Sequence, residues 1–279
     1  MKVLKFGGSS LADAPRYLRV TDISTATHQT DGAAVVLSAP KGVTNALSLL
    51  CEQAAAGEDF QPLFDKLTST VTGIASALNE TLTGFEYANV IDFIDTHLGV
   101  LKQHLEGIKL LGVAPDNVSA GILSIGEYIS VTLFSAILSA KDIKNRIIDP
   151  VSYILAEGDY LDSIADVSLS KARFTDVPND GSELLIMPGF VAANEDGEKV
   201  TLGRNGSDYS AAILAACIDA SCCEIWTDVD GVYNADPNQV EGAVLLDKLT
   251  YQEAMELSYF GAKVLHPKTI GPIAQHHIP

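Results

Sequence analysis

What most constrains this chain is an alternation at its start: short apolar runs, each cut off by turn residues and each followed by helical periodicity. Val3, Leu4 and Phe6 read as a buried strand that ends at Gly7-Gly8, and Ser9-Ser10 lead into an amphipathic stretch. Asp13 followed by Pro15 marks a helix start, with Leu18 and Ile23 among its inward positions. Ala33–Leu37 is a second strand-like run, entering the turn-rich loop Ser38-Ala39-Pro40-Lys41-Gly42. Thr44 can cap the next helix, from Asn45 to about Ala56. Strand, helix, strand, helix predicts an α/β fold on a mostly parallel sheet. Ligands of such sheets bind beyond the carboxyl ends of the strands, where the Lys5–Ser9 and Ser38–Thr44 loops would both lie.

A glycine turn between strand and helix aims backbone N–H groups and a helix N-terminus at one point, which suits an anion. Lys5 can bring a full positive charge to the same point. The bland reading is an ordinary strand-to-helix turn with Lys5 in solvent, and ten residues alone do not decide between the two. A dinucleotide-binding turn fits poorly, because the G-x-G-x-x-G spacing is incomplete.

The charge balance gives the few bases beside glycines more weight. With 36 acidic against 18 basic residues, the formal charge is −18. Nucleic-acid binders carry a basic face, so that function class is disfavoured. The chain is long enough, at 279 residues, for one large domain or two smaller ones. No Gly/Ser/Pro linker divides it, so one continuous domain with two lobes is expected, 1–180 and 181–279. The four cysteines, Cys51, Cys217, Cys222 and Cys223, lack zinc-ligand spacing and form a poor disulfide framework. They read as reduced thiols of a cytoplasmic protein. The N-terminus carries charges and glycines where a signal peptide would carry an apolar run.

Residues 57–115 show helical periodicity at Val90, Phe93, Ile94, Leu98 and Leu101 without a chemical motif, and read as a helical layer. Gly121–Ala140 is an apolar helix whose single charge is Glu127, so it reads as a core element and not a membrane span. A carboxylate in such surroundings needs a partner or is costly to ionise. Either Glu127 lies on a solvent-facing stripe with Ser124, Ser130 and Thr132, or its partner is the ammonium group of a ligand.

Arg146–Pro150 and Glu183–Met187 read as further strands, and Phe190–Ala193 with Lys199–Leu202 as a hairpin around Asn194–Glu198. Gly203-Arg204-Asn205-Gly206-Ser207-Asp208 then opens a second glycine-rich helix start, before the apolar helix Ala211–Ile218. Arg204 offers a planar fork for a carboxylate or phosphate. Asp208 is either a plain first-turn acid or the group that holds a lysine in place. Glu224–Thr227 is a strand, followed by Asp228-Val229-Asp230-Gly231-Val232-Tyr233 and then Asp236-Pro237. That loop is either a tight turn or a site for a ribose, an adenine or water-bound Mg²⁺. Thr250–Glu253 is a capping box for a helix through about Ser258. Lys263 sits beside Gly261, and Ile270–Gln275 reads as a short helix. His276–Pro279 reads as the beginning of a strand, as if the chain were cut inside an alternating fold.

Four stretches in this order resemble the amino acid kinase family, and within it the aspartokinases. They are Lys5–Ser10, Gly203–Tyr209, Thr227–Tyr233 and Ser258–Pro267. The Arg204–Asp208 version, with Trp226–Gly231, is most similar to the type fused to homoserine dehydrogenase. The resemblance covers essentially the whole chain. It implies a three-layer α/β/α sandwich and phosphoryl transfer from MgATP to the side-chain carboxylate of L-aspartate, the first step toward lysine, threonine and methionine.

By resemblance, Lys5, Asp208 and Lys263 are the catalytic set, and Gly7, Gly8, Ser9 and the two lysines surround the phosphates. Thr227, Asp228, Tyr233, Asp236 and Val264 complete the ATP site. Ser38, Thr44, Glu127, Arg204 and Ser207 bind the acceptor. The family also implies Mg²⁺ carried with ATP rather than a protein metal site, and a homodimer or higher homo-oligomer of the full-length protein. Two departures stand out. Asn238 occupies a place where the family usually has an arginine toward the nucleotide, and the regulatory ACT and dehydrogenase regions are not in these residues. Three readings compete with aspartate phosphorylation: a kinase for glutamate or acetylglutamate, a non-catalytic nucleotide-binding fragment, and the dinucleotide-binding dehydrogenase.

Overall fold

The computed structural model describes residues 1–235, 240–260 and 266–279. Its first half runs β1 (Lys2–Phe6), a short 3-10 turn (Gly8–Leu11), α1 (Ala14–Asp31), β2 (Ala33–Leu37) and α2 (Val43–Ala55). Four helices follow without a strand: α3 (Gln61–Thr81), α4 (Tyr87–Leu111), α5 (Asp116–Leu123) and α6 (Ile125–Ala140). Then come β3 (Asn145–Ile147), α7 (Pro150–Tyr153), the small antiparallel pair β4 (Ala156–Glu157) and β5 (Ile164–Ala165), and α8 (Val167–Arg173). The remainder is β6 (Leu184–Pro188), the hairpin β7 (Val191–Ala193) and β8 (Lys199–Thr201), α9 (Gly206–Cys217), β9 (Cys222–Trp226), α10 (Tyr251–Phe260) and α11 (Pro267–Gln275).

Five strands form one sheet in the order β3-β6-β2-β1-β9, every pair parallel. The side chains of its central strands alternate between two cores, as a pleated strand requires. Leu4, Phe6, Ala33, Val35, Leu37, Leu184 and Ile186 face the core built by α1 to α6. Val3, Ala34, Val36, Leu185 and Met187 face the core built by α9, the hairpin and the segment from Ile148 to Val177. Helix layer, sheet, helix layer is the three-layer α/β/α sandwich that the resemblance implies. Every residue of β2 is fully buried, and each Val or Leu there contributes roughly 1.5–3 kcal/mol. The sheet centre is therefore the stiff reference from which the functional loops project.

Local signals account for most element ends. The Asp13 carboxylate accepts from the Arg16 N–H and starts α1, and Gly32 at φ 72° ends it. Thr250 and Glu253 exchange hydrogen bonds as a capping box at the start of α10. Gly197, at φ 77°, turns the β7–β8 hairpin.

Four expectations need correction. Thr44 does not cap α2: Gly42, left-handed at φ 82°, provides the turn, so the helix begins at Val43 and Thr44 lies inside its first turn. Gly121–Ala140 is not one helix but the end of α5 and all of α6, broken at Ser124, whose hydroxyl donates to the Gly121 carbonyl. The break lets Gly126 approach the loop after β2 so closely that a Cβ there would lie 2.6 Å from the Ala39 Cβ. The strand expected over Arg146–Pro150 stops at Ile147, because the Asp149 carboxylate accepts from the Val151 N–H and opens α7. His276–Pro279 is not assigned as a strand. The Pro279 carbonyl nevertheless accepts from the Cys223 N–H at 2.8 Å, which lays the last residue against β9.

Asp116–Ala140 is long and apolar enough, by composition, to cross a membrane, yet 67% of its most apolar window is buried. Helix α6 packs on β3, β6, α1 and α4, so this is a core helix. Residues 57–115 form the two long helices α3 and α4, with Val90, Ile94, Leu98 and Leu101 buried and Phe93 partly buried.

Candidate active site

The carboxyl ends of β1, β2 and β6 open onto a cavity of about 560 Å³. Much of its lining comes from four stretches that are remote in sequence. The β1 turn provides Lys5, Gly7 and Gly8; the loop after β2 provides Ser38; and the first turn of α2 provides Thr44 and Asn45. The start of α6 provides Glu127, and the start of α9 provides Gly203 to Asp208.

Lys5 alternates with Leu4 and Phe6 along β1, so it points to the opposite face, toward α9. There its Nζ lies 2.5 Å from the Asp208 Oδ1, with the two side chains only 12% and 14% exposed. Asp208 sits in the first turn of α9, where the helix dipole favours an acid. Its Oδ1 is buried and receives no aligned hydrogen bond, so the contact is a charge pair. Breaking it by removing one partner would leave the other charge nearly buried and uncompensated. Gly8 is required by close approach, since a Cβ there would lie 2.8 Å from the Ala39 carbonyl oxygen. The two turns that follow β1 and β2 are therefore in direct contact.

Glu127 is 2% exposed, which removes the solvent-facing alternative. Burial pushes its carboxyl up to about 8, and backbone N–H groups of Glu127 and Ala39 offset this only in part. Its Oε2 has no hydrogen-bond partner among the described residues. A buried acid with an orphaned oxygen on a cavity wall fits a cationic donor from a ligand. Behind it, the buried Tyr17 hydroxyl donates to the Ser130 Oγ at 2.9 Å and ties α1 to α6. Arg204 is exposed, lines the same cavity and forms no ion pair among the described residues. Asn205, left-handed at φ 56°, and Gly203 at φ 73° shape the loop that carries it.

Of the residues expected at the site, the cavity gathers Lys5, Gly7, Gly8, Ser38, Thr44, Glu127, Arg204, Ser207 and Asp208. Ser9 lies in the 3-10 turn beside it. Thr227 and Asp228 are exposed and follow β9, whose Trp226 is in register with Phe6 and stacks on it at 5.8 Å. They thus stand at the neighbouring strand end and not in the cavity lining. Tyr233 is further along that loop, its hydroxyl donating to Asp230. Asp236, Asn238, Lys263 and Val264 lie outside the described residues.

Sequence reasoning missed Asn45, Leu123, Leu161, Phe190 and Thr201, which also line the cavity. Leu123 and Leu161 carry no local signal. Phe190 had a weak one, since it follows Pro188-Gly189. It adopts φ 72°, rare for a bulky residue, and its N–H donates to the Ser210 Oγ. Among the described residues no three His, Cys, Asp or Glu side chains cluster as a metal cage. With Asp208 engaged by Lys5, the described donor set is compatible with a cation that arrives on phosphates, as Mg²⁺ commonly does.

The whole chain, residues 1–279, matches the model of the amino acid kinase family. The chain belongs to that family. It is 47% identical over 280 residues to a bifunctional aspartokinase/homoserine dehydrogenase of Buchnera aphidicola, and 44% identical over 279 residues to that of Haemophilus influenzae. Each comparison covers 100% of this chain and 34% of the relative, so the chain spans about a third of the length of these proteins. Among solved structures, Escherichia coli aspartokinase III in complex with aspartate and ADP superposes with a TM-score of 0.87 at 33% identity. That superposition covers 100% of this chain and 60% of the other, and it places the α/β/α sandwich described above among aspartokinase folds.

Proposed function

We propose that this chain is an aspartate kinase domain, transferring the γ-phosphoryl group of ATP to the β-carboxylate of L-aspartate to give 4-phospho-L-aspartate. One observation carries the reading: a single cavity is lined by a buried acid and a guanidinium, neither with a partner among the described residues, and by a lysine held by an acid. Aspartate offers an ammonium for Glu127 and an α-carboxylate for Arg204, which leaves its β-carboxylate free to attack. The likeness to proteins named aspartokinase, one of them in complex with aspartate and ADP, supports the same acceptor.

The chemistry asks for positioning and charge rather than for a base. The β-carboxylate is already anionic at neutral pH, so no proton has to be removed. The barrier is the approach of two anions, and preorganised cations and N–H donors lower it. Lys5, pinned by Asp208 beside the Gly7-Gly8 turn, meets the phosphates with its orientation already set. Thr44, Ser38 and Ser207 offer hydroxyls to the acceptor. Thr227, Asp228 and Tyr233, at the end of the adjoining strand, are assigned to the nucleoside, with Gly7, Gly8 and Ser9 around the phosphates. Mg²⁺ would travel on the phosphates near Asp208 and supply further neutralisation of their charge. In this reading 1–180 and 181–279 are two lobes of one catalytic domain of a cytoplasmic, homo-oligomeric protein. Four free cysteines agree with a reducing compartment.

The test is aspartate-dependent release of ADP. Wild type turns over aspartate but not N-acetylaspartate, which has no ammonium for Glu127. Lys5→Ala lowers kcat by about a hundredfold or more, the scale for one lost transition-state donor. Equal rates from wild type and Lys5→Ala would end the proposal.

A further inference from the structure

Arg204 has a carboxylate close by that is not a substrate. The hairpin between β4 and β5 lies along β8: the Ser163 N–H donates to the Thr201 carbonyl, the Thr201 N–H to the Tyr160 carbonyl, and the Thr201 hydroxyl to the Leu161 carbonyl. This seats Asp162 directly over Gly203, so closely that a Cβ there would lie 1.9 Å from the Asp162 Oδ1. Gly203 is the residue before Arg204, so the Asp162 carboxylate is within reach of the Arg204 side chain folding back. An unpaired acid in that place would compete with a ligand's carboxylate for the guanidinium.

The acid is not unpaired. Lys268, in the first turn of α11, places its Nζ 2.5 Å from the Asp162 Oδ1. A helix N-terminus is an unfavourable place for a cation, so this lysine is not there for the good of its helix. Nor is it a strong staple, because Asp162 is 65% exposed and ion pairs in water contribute little to stability. Helix α11 packs along α9, the helix that begins just after Arg204, so the lysine is held by the same layer as the loop it serves.

We propose that Lys268 is a positioning residue for the acceptor site: it occupies the Asp162 carboxylate and thereby leaves Arg204 free for the α-carboxylate of the amino acid. The inference rests on the aspartate kinase reading. Removing Lys268 releases Asp162 to pair with Arg204, and the acceptor must then displace it. Catalytic groups are untouched, so the effect falls on acceptor binding and not on turnover at saturation.

The experiment is steady-state kinetics of the 279-residue chain with aspartate varied at saturating ATP, and then the converse. Lys268→Met, which keeps the length of the apolar stem, raises the aspartate KM about threefold to fivefold, the factor that one competing exposed ion pair supplies. Its kcat and ATP KM stay within twofold of wild type. Lys268→Arg, with the charge restored, behaves as wild type. Adding Asp162→Asn to Lys268→Met removes the competitor and returns the aspartate KM to within twofold of wild type, an outcome that a merely structural role for Lys268 would not give. An unchanged KM in Lys268→Met overturns the inference, and so does a double variant as impaired as the single one. Wild type that turns over no aspartate overturns the functional reading and this inference with it. Wild type that does, beside a flat Lys268→Met, overturns the inference alone.

Discussion

The buried acid at the start of α6 leads to a prediction about pH. Glu127 is 2% exposed, and burial raises its carboxyl to about 8 before any ligand is present. An ammonium needs the carboxylate form. By the titration of one group, that form is about 3% of the protein at pH 6.5 and half of it at pH 8. Apparent acceptor affinity follows the ionised fraction, so the aspartate KM falls about fifteenfold between those pH values. At saturating aspartate the ammonium holds Glu127 ionised throughout, and kcat stays flat over the same range. The assay is initial rate against aspartate concentration at saturating ATP, repeated at half-unit steps from pH 6 to 8.5. Calorimetry in buffers of different ionisation enthalpy provides a second view, with about one proton released per aspartate bound at pH 7. Glu127→Gln raises the KM and makes it independent of pH. A wild-type KM that does not move between pH 6.5 and 8, with no proton released, refutes the assignment of the ammonium to Glu127.

The same group makes the stability of the fold depend on pH. Folding raises the Glu127 pKa, so the folded state holds this proton more tightly than the unfolded chain does. The stabilisation tied to that proton is intact below the unfolded value and is lost as pH climbs toward about 8. Glu127→Gln therefore raises Tm at pH 8 relative to wild type, and the gap closes below pH 5.

Gly8→Ala places a methyl carbon 2.8 Å from the Ala39 carbonyl oxygen and forces the β1 and β2 turns apart. Destabilisation of about 1–3 kcal/mol is expected in urea unfolding, with a higher ATP KM in the fraction that folds. Thr250→Ala removes the capping-box hydroxyl at the start of α10, at a residue that does not line the cavity. It costs about 1 kcal/mol, seen as a lower Tm, while the aspartate KM holds.

Much of the fold was legible because its signals are local. The run Ala33–Leu37 is wholly apolar because both faces of β2 are covered, and a helix follows after a turn, which is how a parallel strand reads. Asp13, Gly32 and the Thr250–Glu253 box mark helix ends with side chains or backbone angles that need no distant partner. The misreadings fall where a competing local signal or a distant contact overrules the one that was read. Thr44 had the chemistry of a cap, but Gly42 made the turn and left Thr44 among the residues that line the cavity. The apolar helix around Glu127 read as continuous, but the approach of Gly126 to Ala39 accompanies a break at Ser124 that no periodicity announces.

For the site, the sequence by itself determined the parts: two glycine-rich helix starts, a lysine and an arginine beside them, and one acid in an apolar helix. It could offer each part only with its bland alternative, because a turn, a surface lysine and a solvent-facing glutamate are locally indistinguishable from functional ones. Tertiary structure decided between the alternatives. It buried Glu127 without a partner for Oε2 among the described residues, closed Lys5 onto Asp208 across about 200 residues of sequence, and set Asp162 against Gly203 with Lys268 in attendance. The physical reason is that backbone conformation follows from neighbours in sequence, whereas burial, charge pairing and the pKa of a carboxyl follow from whatever packing brings near.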